Sequence, residues 1–485
     1  NDIWHKARLA AERNRMAAAR DAVAIVDATA AAGIPGIFAK PSASLATLFA
    51  QPTTNSASHA ELAVVALTRL AASNPAEAAQ WLQSPGASAL TNAQRNWAWG
   101  AIGRQAALNL DPQAPAYYSQ ASQLQDLWPE QLAWMARSAM RAGNWQQVQR
   151  AITAMPTTMQ REPIWTYWLA RSLQGGQRQP GSRSTEATAL LRSIAGHQGF
   201  YEMLAWEELH GRIRHDAVQA AAPTAQELAA ARTNRGLQRA LYAYTLGLPS
   251  EATREWNYST NLHLQGGMND RDLLAAAELA CRQQWWERCI NTSERSKQQI
   301  LVQQRYPTPY RNTIASYSQQ AGLDPAWVFG LIRQESRFNP QARSGAGASG
   351  LMQVMPGTAR LVARKLGLDT APSLNSIEGN VQLGTAYLAQ QMQGEFGGSM
   401  PMASAAYNAG PGRPRRWREG PDLEGAIWVE NIPFSETRDY VKKVLGNSVH
   451  YGLLLQGSPQ SLYARLGRVG PAPVAIPVAT MPTEN

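Results

Sequence analysis

A chain of 485 residues, 44% of them hydrophobic, is long enough for roughly two to four domains, each with a core of its own. The formal net charge of +10 favours an anionic partner, yet the basic residues are dispersed along helices rather than gathered in a block, and no nucleic-acid-reading motif accompanies them. Nucleic acid is therefore excluded as the partner, and no apolar run approaches the length of about 18 residues that a membrane-spanning helix needs.

The chain begins at Asn1 rather than Met, as a processed or trimmed chain does, which permits export. Its first three hundred residues read as helix after helix. Trp134, Ala136 and Arg137 recur 34 positions on as Trp168, Ala170 and Arg171, and Trp99 and Ala101 stand 35 positions before the first set, a period of stacked helix hairpins. The stretch LAWMARSAMRAGNWQQVQRAITAMP shows the pattern, with helical apolar periodicity punctuated by Gly143 and Pro156. Tryptophan is plentiful, 16 against 7 Phe. Indoles stack well on sugars, but at repeat positions they more often pack, and packing is the expectation here. Loop-like segments fall at Phe38–Ser58 and Gly175–Ser184, and a second helical unit is expected from about Ala222 to the prolines at Pro307 and Pro309. His210 and His215, the closest histidine pair, lie on different helix faces and no H-E-x-x-H occurs, so neither a zinc site nor a serine triad is supported. Cys281 and Cys289, the only cysteines, stand eight apart. That is too far for a bridge along one straight helix rising about 1.5 Å per residue, and within reach if the chain turns between them, so a bridge and two buried thiols both stay open.

The segment DPAWVFGLIRQESRFNP predicts one short helix, with Asp324 as N-cap, Pro325 at the first helical position and Pro340 forbidding continuation past Asn339. Its apolar stripe runs Val328, Leu331, Ile332, and the next position on that stripe is Glu335. A carboxyl turned inward is poorly solvated, its pKa rises, and it can stay protonated near neutral pH and donate a proton. The structural alternative is an ion pair with Arg333 or Arg337. From Ser336 to Leu368 no Asp or Glu occurs, while Ser344, Gly345, Gly347, Ser349 and Gly350 form a loop of hydroxyls and closely approachable backbone. Gly345, Gly347 and Gly350 spell G-x-G-x-x-G, but a helix rather than a strand precedes them and Pro356 interrupts the segment where a phosphate-binding helix would run, so no dinucleotide site is read here.

Four ordered motifs carry a family resemblance: ESRFNP from Glu335, GASGLMQVMPGTA from Gly347 to Ala359, AAYNAGPGR from Ala405 to Arg413, and ENIPFSETRDYV from Glu430 to Val441. Together they resemble the motifs of the soluble lytic transglycosylases, whose catalytic domain is goose-lysozyme-like. The likeness covers about residues 306–455 and extends upstream through GFYEMLAWEELHG and RQQWWERC. Joined to the helical repeat it gives a mainly α fold: an α-superhelical part of helix hairpins over 1–221, which the resemblance closes into an N-terminal ring, a helical linker domain over 222–305, and a lysozyme-like domain over 306–455; the tail over 456–485, rich in Pro and short of regular periodicity, straps the surface or is partly disordered.

The resemblance also implies roles. Glu335 would be the sole catalytic acid and base, protonating the oxygen between N-acetylmuramic acid and N-acetylglucosamine and then taking a proton from the muramoyl 6-hydroxyl, so that a 1,6-anhydromuramoyl end forms and no water is consumed. A serine matching Ser344 would orient that carboxyl, and Gln353, Met355, Tyr387, Tyr407, Asn408 and Glu430 would line the glycan groove. Met355 and Tyr407 could instead be core, although Asn408 and Gly410 end the helix of Tyr407 and bring its phenol near a loop. Gln353, if buried, demands partners, and a sugar hydroxyl is one. Glu430 could simply favour the dipole of the following helix, with Ser435 as its N-cap. No cofactor and no metal are implied. The expected partners are peptidoglycan strands and other cell-wall enzymes, in the periplasm, with attachment to the outer membrane through a further N-terminal segment. Two other readings remain: a hydrolytic muramidase of the same fold, and a helical scaffold that binds glycan without cleaving it.

Overall fold

A computed structural model describes residues 2–50, 57–178, 184–214, 220–262 and 267–472. His215, parts of the two loop-like segments and residues 473–485 of the tail lie outside the described residues. Within them the fold is mainly α, as expected, and the paired strands are two residues long, Leu423–Glu424 running antiparallel to Arg468–Val469. The described residues form two compact units, one from Asn1–Gly196, Trp417–Arg438 and Arg468–Asn485, the other from His197–Arg416 and Asp439–Gly467.

The first unit is built from helix pairs whose ends are written locally. Pro129 and Pro163 open their helices, Gly143 turns the chain with φ +71°, and the Asn144 side chain caps the next helix by accepting from the Gln147 N–H. The repeat tryptophans Trp134 and Trp168 are fully buried, so they pack, as does Trp99. The repeat arginines do something the sequence did not announce. Arg137 donates from Nε to Glu430 Oε1 at 2.9 Å, and Arg171, 34 positions on, grips both carboxylate oxygens of Glu424 at 3.2 and 3.0 Å. Each guanidinium also lies over its own repeat tryptophan, 4.9 Å from the Trp134 ring and 5.7 Å from the Trp168 ring. The segment Trp417–Arg438, expected inside a 306–455 domain, thus packs in the first unit because two buried arginines hold its carboxylates.

The second unit begins at His197 rather than near 222. Its helix Phe200–His210 takes part of the tail: Glu207 accepts from Ser461 Oγ at 2.7 Å and from the Leu462 N–H, and Tyr463 donates to Glu208 at 2.7 Å. Residues 457–472 of the expected irregular tail therefore carry the helix Leu462–Leu466 and the strand Arg468–Val469. The helices Asp270–Arg282 and Trp286–Ser293 form a hairpin through Gln284 at φ 56°, and Cys281 and Cys289, with Cα atoms 4.9 Å apart, are joined by a disulfide across that turn. Cys289, Trp256 and Trp285 sit in the same small core.

Candidate active site

The site is built on the helix Pro325–Glu335 of the second unit. Asp324 caps it by accepting from the Ala326 N–H at 2.9 Å, and its other carboxylate oxygen is held by Arg465 at 2.6 Å. Val328, Leu331 and Ile332 are fully buried. The helix stops at Glu335, four residues earlier than the Pro340 signal predicts, because Arg337 and Phe338 adopt left-handed backbone at φ 48° and 63°. That turn carries the Phe338 ring into the core against Phe329 and Tyr451. Glu335 is left as the last helical residue, at the carbonyl end of the helix, where negative charge is disfavoured.

Gly330 brings a second helix close. A Cβ there would stand 2.7 Å from the Val444 carbonyl oxygen and 3.0 Å from the Ser448 nitrogen, so the backbone of Ser435–Gln456 packs directly on the Glu335 helix. One turn back along it, Tyr440 donates its hydroxyl to Glu335 Oε1 at 2.6 Å. Burial pushes the Glu335 carboxyl up to about 7, and the Tyr440 hydrogen bond opposes only part of that rise. Burial, and then the neighbouring Glu335 charge, hold the Tyr407 and Tyr440 phenols well above their ordinary range, so both are donors and not phenolates at any working pH. The ion-pair alternative fails. Arg333 and Arg337 both turn to Glu294, at 2.7 and 3.8 Å, and Arg333 lies over Tyr306, so among the described residues Glu335 has no cation.

A loop faces this carboxyl. Asn380, fully buried, staples it by accepting from the Met352 N–H at 2.7 Å and donating to the Ser349 and Leu374 carbonyls at 2.8 and 2.9 Å. Ser336 donates to the Leu351 carbonyl at 2.8 Å, tying the loop to the end of the Glu335 helix. Tyr407 donates to the Met352 carbonyl at 2.8 Å, and its ring stands 5.5 Å from that of Tyr387. Gln353, at φ 48°, donates to the Ala342 and Gly350 carbonyls, so the loop itself meets the demand of its amide N–H groups. Met355 is 42% exposed, which removes the core reading for it. Asn408 lies partly buried at the end of the Tyr407 helix.

Two of the expected site residues have other partners in this structure. Ser344 is exposed, its Oγ accepts from the Ala348 N–H at 3.0 Å, and among the described residues it makes no hydrogen bond to Glu335; the hydroxyl that Glu335 accepts from is that of Tyr440. Glu430 is fully buried in the first unit with Arg137 at 2.9 Å and Arg438 at 3.9 Å, so its carboxylate is spent on an internal ion cluster and does not face an open groove. The sequence reading missed Tyr440 and Asn380. Tyr440 lies inside the fourth motif on the stripe that continues to Val444 and Ser448, a signal that was there to be read; nothing local marks Asn380, whose partners are all loop backbone. Among the described residues no cluster of His, Cys, Asp and Glu could hold a metal, and no helix is long and apolar enough to cross a membrane.

A mainly α chain that sets Glu335, with no cation beside it among the described residues, between tyrosines and a glycine-rich loop has the architecture of a lysozyme-like module, and known proteins place it further. Residues 312–425 match the model of the transglycosylase SLT domain and residues 431–460 that of the soluble lytic transglycosylase helical domain. The lytic transglycosylase Slt of Pseudomonas aeruginosa, solved as an inactive glutamate-to-glutamine mutant, matches at TM-score 0.75 and 31% identity over 95% of this chain and 74% of that one. The 70 kDa soluble lytic transglycosylase of Escherichia coli shares the fold at TM-score 0.74 and 24% identity, over 96% of this chain and 75% of that one. The chain belongs to the soluble lytic transglycosylase family. The soluble lytic murein transglycosylase of Escherichia coli strain K12 is 27% identical over 432 residues, 81% of this chain, and the chain spans 65% of that relative's length.

Proposed function

We propose that this chain cleaves the β-1,4 bond between N-acetylmuramic acid and N-acetylglucosamine in peptidoglycan by intramolecular transglycosylation, with Glu335 as the only acid and base. The observation that carries the reading is a carboxyl raised to about 7 by burial, with no cation and no second carboxyl acting on it among the described residues. Ordinary glycosidases generally work with a flanking pair of carboxylates, whereas a single group can serve if it gives and then recovers one proton. Protonated Glu335 donates to the bridging oxygen as the bond to the muramoyl anomeric carbon breaks, and N-acetylglucosamine leaves with a free 4-hydroxyl. The resulting carboxylate, steadied by the Tyr440 hydroxyl, takes the proton of the muramoyl 6-hydroxyl as that oxygen closes on the anomeric carbon. Glu335 ends protonated, and water takes no part.

Tyr387, Tyr407 and Met355 offer the ring faces and apolar surface a pyranose packs on, Asn408 and the free carbonyl oxygen of the Gln353 amide offer hydrogen bonds, and Ser344 sits on the exposed lip of the loop. The names of the relatives, soluble lytic murein transglycosylases, support the substrate, and the inactivity of the Pseudomonas aeruginosa mutant supports an essential glutamate. A periplasmic location, with attachment to the outer membrane and contact with other cell-wall enzymes as extensions of the same reading, suits the Cys281–Cys289 bridge, which an oxidising compartment preserves. The test is the mass of the products from purified peptidoglycan. Anhydromuramoyl ends are expected; reducing ends, heavier by one water, would instead indicate a hydrolytic muramidase, and intact glycan a binding scaffold.

A further inference from the structure

On the lytic module, away from the Glu335 site, lies a groove of about 650 Å³, within the usual size range of ligand sites. Its walls are the helix Arg311–Gln320, the helix Ile377–Ala389 and the π-helical turn Gln390–Glu395 that continues it. Gln382, Thr385, Ala386 and Ala389 face it along one helical stripe, at spacings of three, four and seven. Tyr387, five positions from Gln382, falls off that stripe and meets Tyr407 instead, so the groove and the Glu335 site use different faces of one helix.

The lining is unusual for this protein. In a chain of net charge +10, no acidic or basic side chain among the described residues lines the groove, and four glutamines do, Gln320, Gln382, Gln390 and Gln393, with Tyr317 and the 44% exposed Leu366. Their amides are only partly used. Gln320 donates to Ser316 Oγ, Gln393 donates to the Ala321 carbonyl, Gln390 accepts from Lys365, and Gln382 makes no side-chain hydrogen bond among the described residues. What remains among the described residues is a mixed set: free amide carbonyls at Gln320 and Gln393, a free amide N–H pair at Gln390, and both at Gln382. Hydroxyls and acetamido groups, which donate and accept at once, match such a set, and alanines, Leu366 and the Tyr317 ring match the apolar faces of pyranoses. No charged side chain among the lining residues offers an ion its opposite charge, and Lys365 beside the groove is engaged by Gln390. The π-helical turn is a second, independent mark, since such turns are rare and occur often at functional sites.

We propose that this groove is a second glycan site, holding an uncharged stretch of β-1,4-linked N-acetylated amino sugar while the Glu335 site cuts elsewhere on the polymer. The choice of ligand rests on the proposed function, but its test does not need catalysis. The probe is the β-1,4-linked tetramer of N-acetylglucosamine, titrated calorimetrically into the full chain carrying Glu335→Gln. Two sites are expected. Adding Gln382→Glu, which places a charge in the groove, or Ala389→Trp, which fills it, should remove one site or weaken it at least tenfold and leave the other unchanged. In the active chain the same groove variants should keep turnover of short soluble fragments within about twofold while binding to insoluble peptidoglycan falls at least tenfold. A single tetramer site indifferent to both groove variants would overturn the proposal, and so would a groove that takes an amphipathic helical peptide in place of the tetramer. Two-site binding in a chain that yields no anhydro product would leave the groove standing and remove the catalytic reading instead.

Discussion

In the proposed mechanism one proton on Glu335 couples catalysis to stability. Its carboxyl titrates near 7 in the folded chain against an ordinary 4.5, so folding favours the protonated form. That contribution is fully present below pH about 4.5 and is lost as pH rises through about 7; at roughly 1.4 kcal/mol per unit the loss approaches about 3 kcal/mol. Glu335→Gln, which cannot ionise, should match the parent in denaturant melts at pH 4 and exceed it by up to about 3 kcal/mol at pH 8. Equal stabilities at both values would show that the carboxyl is not buried as charge. Tyr440 works the other way on the same group, since its hydrogen bond favours the carboxylate. Tyr440→Phe removes a bond to a charged acceptor of roughly 1.5–3 kcal/mol, so the alkaline limb of kcat/KM should move up by about one to two pH units while kcat drops. A limb that stays in place would dissociate Tyr440 from the titration of Glu335.

At the scale of the elements, the approach of two helices sets the Glu335–Tyr440 distance. Gly330→Ala would drive a methyl into the Val444 carbonyl and the Ser448 nitrogen, both backbone atoms that cannot swing aside. We expect a loss of about 1–3 kcal/mol and reduced turnover, since the hydrogen bond lengthens with the helices. A fully stable, fully active Gly330→Ala chain would show that this packing is slack. The helix was legible in the sequence because its N-cap, first-turn proline and apolar stripe are local signals. Its end was not: the left-handed turn at Arg337 and Phe338 answers to a ring buried against nearby Phe329 and against Tyr451, the latter more than a hundred residues further along the chain. The same limit explains Ser344 and Glu430. The resemblance gave Ser344 the orienting role and Glu430 a place in the groove, but motif position does not reveal the bonds each side chain makes, a local one from the Ala348 N–H for Ser344 and a distant one from Arg137 for Glu430.

Across the whole chain, the tryptophan repeat was readable from its spacing, and the arginines that share it turn out to hold Glu424 and Glu430 inside the first unit. Arg137→Met should cost about 3–5 kcal/mol by removing the close partner of buried Glu430 and leaving the longer Arg438 contact, and a matching Glu430→Met should recover much of that; a thermal melt of the three variants checks it, and a near-neutral Arg137→Met would contradict the buried pair. The net charge of +10 acts over longer range, so pelleting with intact peptidoglycan should weaken as salt rises from about 0.05 to 0.5 M, and salt-independent pelleting would remove the electrostatic contribution. The central claim is that one carboxyl does both proton transfers, and mass analysis of the glycan products of Glu335→Gln beside the parent chain tests it most directly. The parent should release 1,6-anhydromuramoyl products, and the folded variant, still able to bind glycan, should fall at least about 10⁴-fold in turnover because both transfers are lost. A folded Glu335→Gln chain that still releases anhydro ends at a substantial fraction of the parent rate would contradict the account.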